Sequence, residues 1–463
     1  MINKVFESMD QAVADIPDGA SIMIGGFGPG IPYNLIAALH RQGAKDLTVI
    51  GVAPTTFRRP DVGFLVREGR VRQLISQGGD DRHPGVPQGT MAERIRAGAA
   101  GIPAFYTPTS VGTNMAKGKE HREFNGRTYV LETALTADYA LVRAWKADKA
   151  GNLQFRLSQM NSNPLVARAA RYTIAEVEEP LVEVGEMDPS FIHVPSIYVK
   201  RIVRIPPPPE AFMERPYNIF DVAPTGRRAT RGIGGEAETE EGGKKKLSRE
   251  QMVRRVVQEF QEGWVVNLGM GLPQFCCQFV PPERSVVFHA ENGVIGYGRM
   301  ATAEEADLHL IDALGFHITL NPGASTVDHA DSFALVRSGR LDVTVLGAYQ
   351  VAENGDLASV GREPGSEGGA GGGAMDMAAN AKRVFVPMQH ATDDGRPRLV
   401  KRCTLPLTAP GVVKKVFTDL GVFEVTSGGF VIKEIAPGWT VEEVQALSEA
   451  TIHVDADLKE VEV

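Results

Sequence analysis

The chain repeats one plan twice in the same order, so its fold has to be built from two versions of one unit. Near the start, Asp18-Gly19 leads into the apolar triplet Ile22-Met23-Ile24 and then into Gly25-Gly26-Phe27-Gly28-Pro29-Gly30-Ile31-Pro32. Later, Glu262-Gly263 leads into Trp264-Val265-Val266 and then into Asn267-Leu268-Gly269-Met270-Gly271-Leu272-Pro273. A second matched pair follows, because LVRAWKADKAGNL from Leu141 and VLGAYQVAENGDL from Val345 share their apolar spacing and closing turn. One pair of Gly/Pro loops arises readily by chance. Two pairs in one order point to duplication.

Each half alternates short β-branched runs (LTVIGV, RQLIS and YALVRAW; VVNLGM, SVVFHA, VTVLGAY and RVFVPM) with helical stretches such as AERIRAGAA. Apolar strands of this length between helices predict an α/β fold, with two duplicated, open, largely parallel sheet domains covered by helices. Glycines just behind a strand let the backbone turn sharply and bring its amides close to a ligand.

A length of 463 residues suits two domains. The break falls in Pro206-Pro207-Pro208-Pro209 and the later run GRRATRGIGGEAETEEGGKKK. Proline, glycine and alternating charge there cannot bury enough apolar surface to order a compact segment. Ser248 and Gln251 then form a capping box, with Met252, Val253, Val256, Val257 and Phe260 at helical spacing behind it. These signals set the domains at 1–225 and 247–463, with 226–246 as linker.

A formal net charge of −8 disfavours nucleic acid as a partner. The basic run Lys244-Lys245-Lys246 follows Glu236, Glu238, Glu240 and Glu241, and reads as solvated linker. Three cysteines are too few for a disulfide framework, and Cys276 and Cys277 read as reduced, buried thiols. The longest apolar runs are strand-sized, so no membrane span is expected. The polar, acidic start of the chain resembles neither a secretory signal nor an Arg-rich transit peptide. A cytoplasmic location is the resulting expectation.

Several chemistries are disfavoured. The loop at Gly26, Gly28 and Gly30 fails the dinucleotide pattern G-x-G-x-x-G, because Gly28 and Gly30 are followed by Tyr33, and Gly269 and Gly271 by Gln274. Ten scattered histidines without HExxH, CxxC or a His/Cys cluster predict no metal site. His289, beside Glu291, reads as a satisfied core or loop histidine. No G-x-S-x-G elbow occurs.

With these motifs in view, the chain resembles the class I (3-oxoacid type) coenzyme A transferases, in the fused form that carries two subunit-like halves on one polypeptide. In the first half the likeness rests on GGFGPGIPYNLI, on QGTMAERIRAG from Gln88, and on GIPAFYTPTSVGT, REFNGRTYVLE and ALVRAWKADKAGNL. In the second it rests on VNLGMGLP, FHAENGVIGYG, NPGAST, LGAYQVAENGDLAS and GGAMDM. The resemblance implies CoA transfer from an acyl-CoA (succinyl-CoA or acetyl-CoA) to a short carboxylic or 3-oxo acid, as in organic-acid or ketone-body metabolism. It also implies a covalent glutamyl-CoA thioester, no cofactor beyond CoA as substrate and intermediate, and a homodimer.

The family's nucleophile is the glutamate of a Glu-Asn-Gly motif, and Ala-Glu-Asn-Gly occurs twice here, at 290–293 and 352–355. Glu353 lies between apolar stretches where Asn-Gly is ordinary turn chemistry. Glu291 follows the strand-like Val286-Val287-Phe288 and its flanks match the family, which makes it the expected nucleophile. By resemblance, Gln88 supplies a side-chain amide and Gly373 a backbone N–H to the oxyanion, while Gly26, Gly28, Gly30, Asn292, Gly293 and Gly372 line the substrate. Thr90 and Glu93 read as a capping box that sets Gln88 just ahead of a helix.

Three departures bear on which acid is used. Ala290 stands where the family usually has Ser or Thr, the first glycine loop is one residue short, and Gly51-Val52-Ala53-Pro54 replaces an Asn-Asn pair. Arg58 and Arg59 suit the second carboxylate of a dicarboxylic acid, although such arginines are ordinarily exposed surface residues. Two rival readings stand beside the transferase: a CoA-thioester hydrolase on the same scaffold, and a non-catalytic ligand-binding module.

Overall fold

The computed structural model describes residues 3–52, 62–78, 85–205, 240–241, 244–361 and 371–463. Most of the expected linker, Ala53, Pro54, Arg58 and Arg59 lie outside them. The β-branched runs of the first half form β1 (Ser21–Ile24), β2 (Leu47–Ile50), β3 (Val71–Ile75), β4 (Ala137–Ala144), β5 (Ala170–Val177) and β6 (Val199–Arg204). They make one sheet in the order β6-β5-β4-β1-β2-β3, parallel at every pairing.

The second half builds β7 (Val265–Leu268), β8 (Val287–Ala290), β9 (Val294–Met300), β10 (Ile318–Thr326) and β11 (Val343–Val345). It continues with β12 (Val384–Pro387), β13 (Val413–Thr418), β14 (Gly421–Thr426), β15 (Gly429–Ile435) and β16 (Ile452–Glu460). Their sheet runs β10-β9-β8-β7-β11-β12-β13-β14-β15-β16. Its centre, from β8 to β13, is parallel and repeats the first sheet's order. Antiparallel pairings extend it on both sides, where tight turns instead of crossover helices link β8 to β9 and β13 to β14, and β16 then joins β15 in parallel.

The duplication is visible in detail. Gly19 and Gly263 both turn with positive φ, at 77° and 75°, just ahead of β1 and β7. The second matched motif folds in both halves as a two-strand antiparallel ladder, Lys146–Ala147 with Leu153–Gln154 and Gln350–Ala352 with Leu357–Ala358. Register places Val52 where the second half has Glu291: Ile22 pairs with Val49 on β2, and its counterpart Val266 pairs with Phe288 on β8. Only one of the two units therefore carries a carboxylate there.

The covering helices include α1 (Tyr33–Gln42), α2 (Gln88–Ala99), α3 (Asn163–Ala169), α4 (Arg249–Gln258), α5 (His329–Arg337) and α6 (Ala374–Asn380). The Ser248 and Gln251 capping box forms as expected at α4, each side chain accepting the other's backbone N–H. The two halves do not merely abut. Met91 and Ile95 of α2 and Val166 of α3 share one apolar cluster with Ala330, Phe333 and Val336 of α5 and Met377 of α6. That cluster fixes where the ends of α2, α5 and α6 meet.

Gly89 sits at the tightest point of this contact. A Cβ there would lie 2.3 Å from Phe333 Cδ1 and 2.7 Å from Asp376 Cγ, both in the opposite half. Gly89→Ala is expected to lower unfolding free energy by about 2–3 kcal/mol in a urea titration, as overpacking does. Gly428→Ala, whose nearest neighbour is Thr426 Oγ1 at 3.7 Å, should stay within about 0.5 kcal/mol of wild type. Equal effects at the two positions would contradict this account of the seam.

Candidate active site

Glu291 leaves the end of β8 on a turn closed by Gly293 N–H donating to the Ala290 carbonyl, 2.9 Å. Gly293 takes φ 101°, and a Cβ on it would lie 2.0 Å from the Val327 carbonyl oxygen, so only glycine lets the turn pack there. Asn292 is fully buried and donates through Nδ2 to the Ile311 carbonyl, 2.9 Å, which also accepts from Ser158 Oγ of the first half, 3.0 Å. The Glu-Asn-Gly turn is thereby tied to the seam between halves. Asn292 serves as an anchor in this geometry, and Gly293 as a packing turn.

The glutamate's own backbone is held from behind. Ser332 Oγ donates to the Glu291 carbonyl at 3.0 Å and meets His289 Nε2 at 2.8 Å. His289 is buried in the core as expected, and burial pulls its pKa down to about 4.

The Glu291 side chain points at the glycine-rich turn before α6. A Cβ on Gly373 would lie 1.9 Å from Glu291 Oε2, so any larger residue would displace the carboxylate. A Cβ on the next glycine back, Gly372, would lie 3.8 Å from Gln88 Oε1 and 3.6 Å from Gln77 Oε1. Gln88 N–H donates to the Gly372 carbonyl at 2.9 Å. Glu291, Gly372, Gly373 and Gln88, drawn from both halves, thus meet at one place. The Gly373 N–H has no hydrogen-bond acceptor among the described residues.

Desolvation is the largest influence on Glu291 and pushes its pKa up to about 8; the neighbouring carboxylates of Asp376 and Asp312 push the same way. The residue as a whole keeps some exposure. Asp376 and Asp312 are themselves buried and raised to about 6, with backbone donors opposing the shift.

One expectation at this site is corrected. Thr90 and Glu93 do not cap α2, which begins at Gln88 behind Pro87. Asp376 Oδ2 instead accepts from Gly89 N–H at 2.8 Å, and Oδ1 accepts from Thr90 Oγ1 at 3.3 Å and Thr109 Oγ1 at 3.0 Å. The cap comes from the other half. Glu93, freed from capping, pairs with Arg96 at 2.6 Å and Arg337 at 2.7 Å.

Gly26, Gly28 and Gly30 take φ of 94°, 74° and 87° in a loop folded tightly on itself, where a Cβ on Gly26 would lie 2.4 Å from Ile31 N. Their conformations are explained by that closure. The loop reaches the site through Phe27, whose ring meets His329 edge-on at 5.9 Å. The second tetrapeptide lies elsewhere: Glu353 opens a surface turn and accepts from Thr451 N–H at 2.8 Å. Sequence reasoning passed over Asp376 and His329, both buried polar residues inside segments it quoted or skirted. Among the described residues no group of three His, Cys, Asp or Glu side chains is arranged to hold a metal, and no helix is long and apolar enough to cross a membrane.

Comparison with known proteins agrees with the two-half architecture. The family model described as "Coenzyme A transferase" matches twice, at residues 6–204 and 249–447. Human succinyl-CoA:3-ketoacid coenzyme A transferase 2, mitochondrial, is 38% identical over 492 residues, covering 98% of this chain and 91% of the relative. A probable coenzyme A transferase beta chain of Bacillus subtilis is 45% identical over 207 residues, covering 45% of this chain and 95% of its own length. A separate bacterial polypeptide thus corresponds to about half of this chain, and the two family matches on one polypeptide are a fused two-subunit form. An acyl-CoA transferase from Escherichia coli O157:H7 shares the fold with a TM-score of 0.78 at 19% identity, over 99% of this chain and 95% of that one.

These relatives also correct the expectation of a cytoplasmic protein. The human relative and its mouse and rat counterparts, aligned over 97–98% of this chain, are named as mitochondrial. The ordinary composition and strand-sized apolar runs behind that expectation are shared by proteins of either compartment, so they carry no address.

The raised pKa of Glu291 has a consequence for stability. Folded protein holds a proton on Glu291 that the unfolded chain releases above 4.5, so this group lowers stability as pH rises from 4.5 to about 8 and has no such effect below 4.5. Glu291→Gln should therefore be more stable than wild type in urea at pH 8, with the gap closing towards pH 4.5. A gap that does not vary with pH would contradict the buried setting of this carboxyl.

Proposed function

The chain belongs to the coenzyme A transferase family, and from that premise we propose that it moves CoA from succinyl-CoA to a short 3-oxo acid through a thioester carried on Glu291. It is an enzyme of CoA transfer. The observation that carries the finer reading is the partly desolvated Glu291 carboxyl seated against Gly373 and beside Gln88. The names of the aligned relatives supply the substrates, and they do not favour the hydrolase reading.

Once Glu291 has released its proton to solvent, the chemistry balances without a proton donor. The Glu291 carboxylate attacks the thioester carbonyl, the C–S bond breaks, and CoA leaves as thiolate, giving an acyl-glutamyl anhydride. The thiolate attacks the glutamyl carbonyl and expels the donor acid as carboxylate, leaving CoA on Glu291. An incoming carboxylate attacks the same carbonyl, and the sequence runs in reverse. One thioester replaces another, so the reaction needs no cofactor beyond CoA itself. The two histidines nearest the site suit this scheme, since burial keeps both neutral, with pKa values of about 4 for His289 and about 3 for His329.

Each step places negative charge on a carbonyl oxygen, and preorganised amide donors lower that barrier most effectively in a dry site. In this reading Gln88 and the Gly373 N–H are those donors, one from each half, while the Gly26–Gly30 loop and Gly372 border the substrate. Burial raises the energy of the Glu291 anion as well, which makes it a more reactive nucleophile once its proton has left. The same proposal takes the working unit as a homodimer, on the family resemblance.

Labelled succinate should scramble into succinyl-CoA with no third substrate present, whereas net loss of thioester would indicate hydrolysis. Glu291→Gln should abolish exchange. Glu353→Gln removes only the bond to Thr451 N–H, and should leave the exchange rate within about twofold of wild type. Comparable losses at both positions would contradict the assignment.

A further inference from the structure

The Gln88 carboxamide does not stand alone. One of its terminal atoms, assigned as Nε2, lies 2.8 Å from His329 Nε2, and both residues are fully buried. The other terminal atom, Oε1, has no partner among the described residues, and neither does His329 Nδ1. The oxygen and nitrogen of a carboxamide exchange places by a half-turn, so the hydrogen-bond network decides which atom faces the histidine.

With nitrogen towards the histidine, His329 Nε2 has to accept. Its ring proton then sits on Nδ1, a buried donor with nothing to receive it. With oxygen towards the histidine, Nε2–H donates to Oε1 and Nδ1 is left as a bare lone pair. Each arrangement leaves buried polar atoms unpaired in the protein alone: Nδ1–H and Oε1 in the first, the Nδ1 lone pair and the Gln88 NH2 in the second. Only the second turns the Gln88 NH2 to the side facing Gly372 and the Glu291 pocket, where an oxyanion can accept from it.

The ring that does this is itself held firmly. His329 N–H donates to the Asn161 carbonyl of the first half at 3.1 Å. Its imidazole stacks on Phe333, with centroids 6.2 Å apart and planes 9° from parallel, and Phe27 of the glycine loop closes the edge.

We propose that His329 is a positioning residue, whose Nε2–H holds Gln88 Oε1 and so aims the Gln88 NH2 at the oxygen that becomes negative when Glu291 attacks. This rests on Gln88 acting as an oxyanion donor. Neutral imidazole is the form the arrangement needs, and full burial, which pulls the His329 pKa down to about 3, keeps it in that form. Through Phe27, the glycine loop of one half bears on the donor geometry that serves the nucleophile of the other.

A double-mutant cycle tests the proposal, with exchange kinetics read as kcat and KM separately. His329→Phe keeps a ring between Phe27 and Phe333 but cannot donate. It should lower kcat about 10- to 100-fold, somewhat below the loss of a whole oxyanion donor, with KM for succinyl-CoA unchanged. His329→Gln, which offers an N–H at nearly the same reach, should recover most of kcat. In a Gln88→Ala background His329→Phe should cost nothing further.

If the histidine change lowers kcat by the same factor with and without Gln88, it acts by another route and the proposal is overturned. If Gln88→Ala alone leaves kcat unchanged, the oxyanion role of Gln88 falls, and this inference with it. Should His329→Phe fail to fold, His329→Gln decides. Near wild-type kcat supports the proposal, and a loss equal to that of Gln88→Ala contradicts it.

Discussion

The buried carboxylate of Asp376 is the interaction on which the rest of the site depends. It sits in the second half, yet all three of its side-chain hydrogen-bond donors, Gly89 N–H, Thr90 Oγ1 and Thr109 Oγ1, belong to the first. Those bonds compensate for burying a charge-bearing group and fix the start of α2 against α6. Gln88, the first residue of α2, can then lie beside Gly372 only because Asp376 holds the next residue in place. Burial is the main cause of the raised Glu291 pKa and this carboxylate adds to it, so one side chain shapes both the geometry and the electrostatics of the pocket.

A site assembled this way needs both halves together, whether they lie on one polypeptide, as here, or on two. Glu291, its backbone support from Ser332 and the Gly372–Gly373 turn come from the second half, while Gln88 and the glycine loop come from the first. Neither half alone holds the set. By register the first half has Val52, an apolar residue, where the second has Glu291. Duplication gave two equivalent positions, and only one bears the carboxylate. The other half contributes Gln88, at the start of α2, instead.

Much of this was legible in the sequence, for reasons that are local. Strands such as Val287–Ala290 and Val343–Val345 are β-branched or apolar runs whose identity survives any packing, and the Ser248 and Gln251 box is complete within four residues. The choice of Glu291 over Glu353 followed from flanking residues, and the structure sets one in the pocket and the other in a surface turn. What escaped was long-range. The donors of α2 find their acceptor 287 positions away, so the nearby Thr90 and Glu93 offered a local solution that the fold does not use. His329 carried no motif at all, and its contact with Gln88 spans 241 positions. The antiparallel margins of the second sheet were missed because period-two runs do not declare the direction of their neighbours.

The proposed transfer depends on Glu291 carrying the coenzyme. The most direct measurement is to mix the enzyme with succinyl-CoA alone, quench, digest, and locate the CoA-bearing peptide by fragmentation mass spectrometry. Coenzyme A attached at Glu291 is the predicted result. Coenzyme A on Glu353 or another residue, or no adduct under conditions where labelled succinate exchanges, would contradict it.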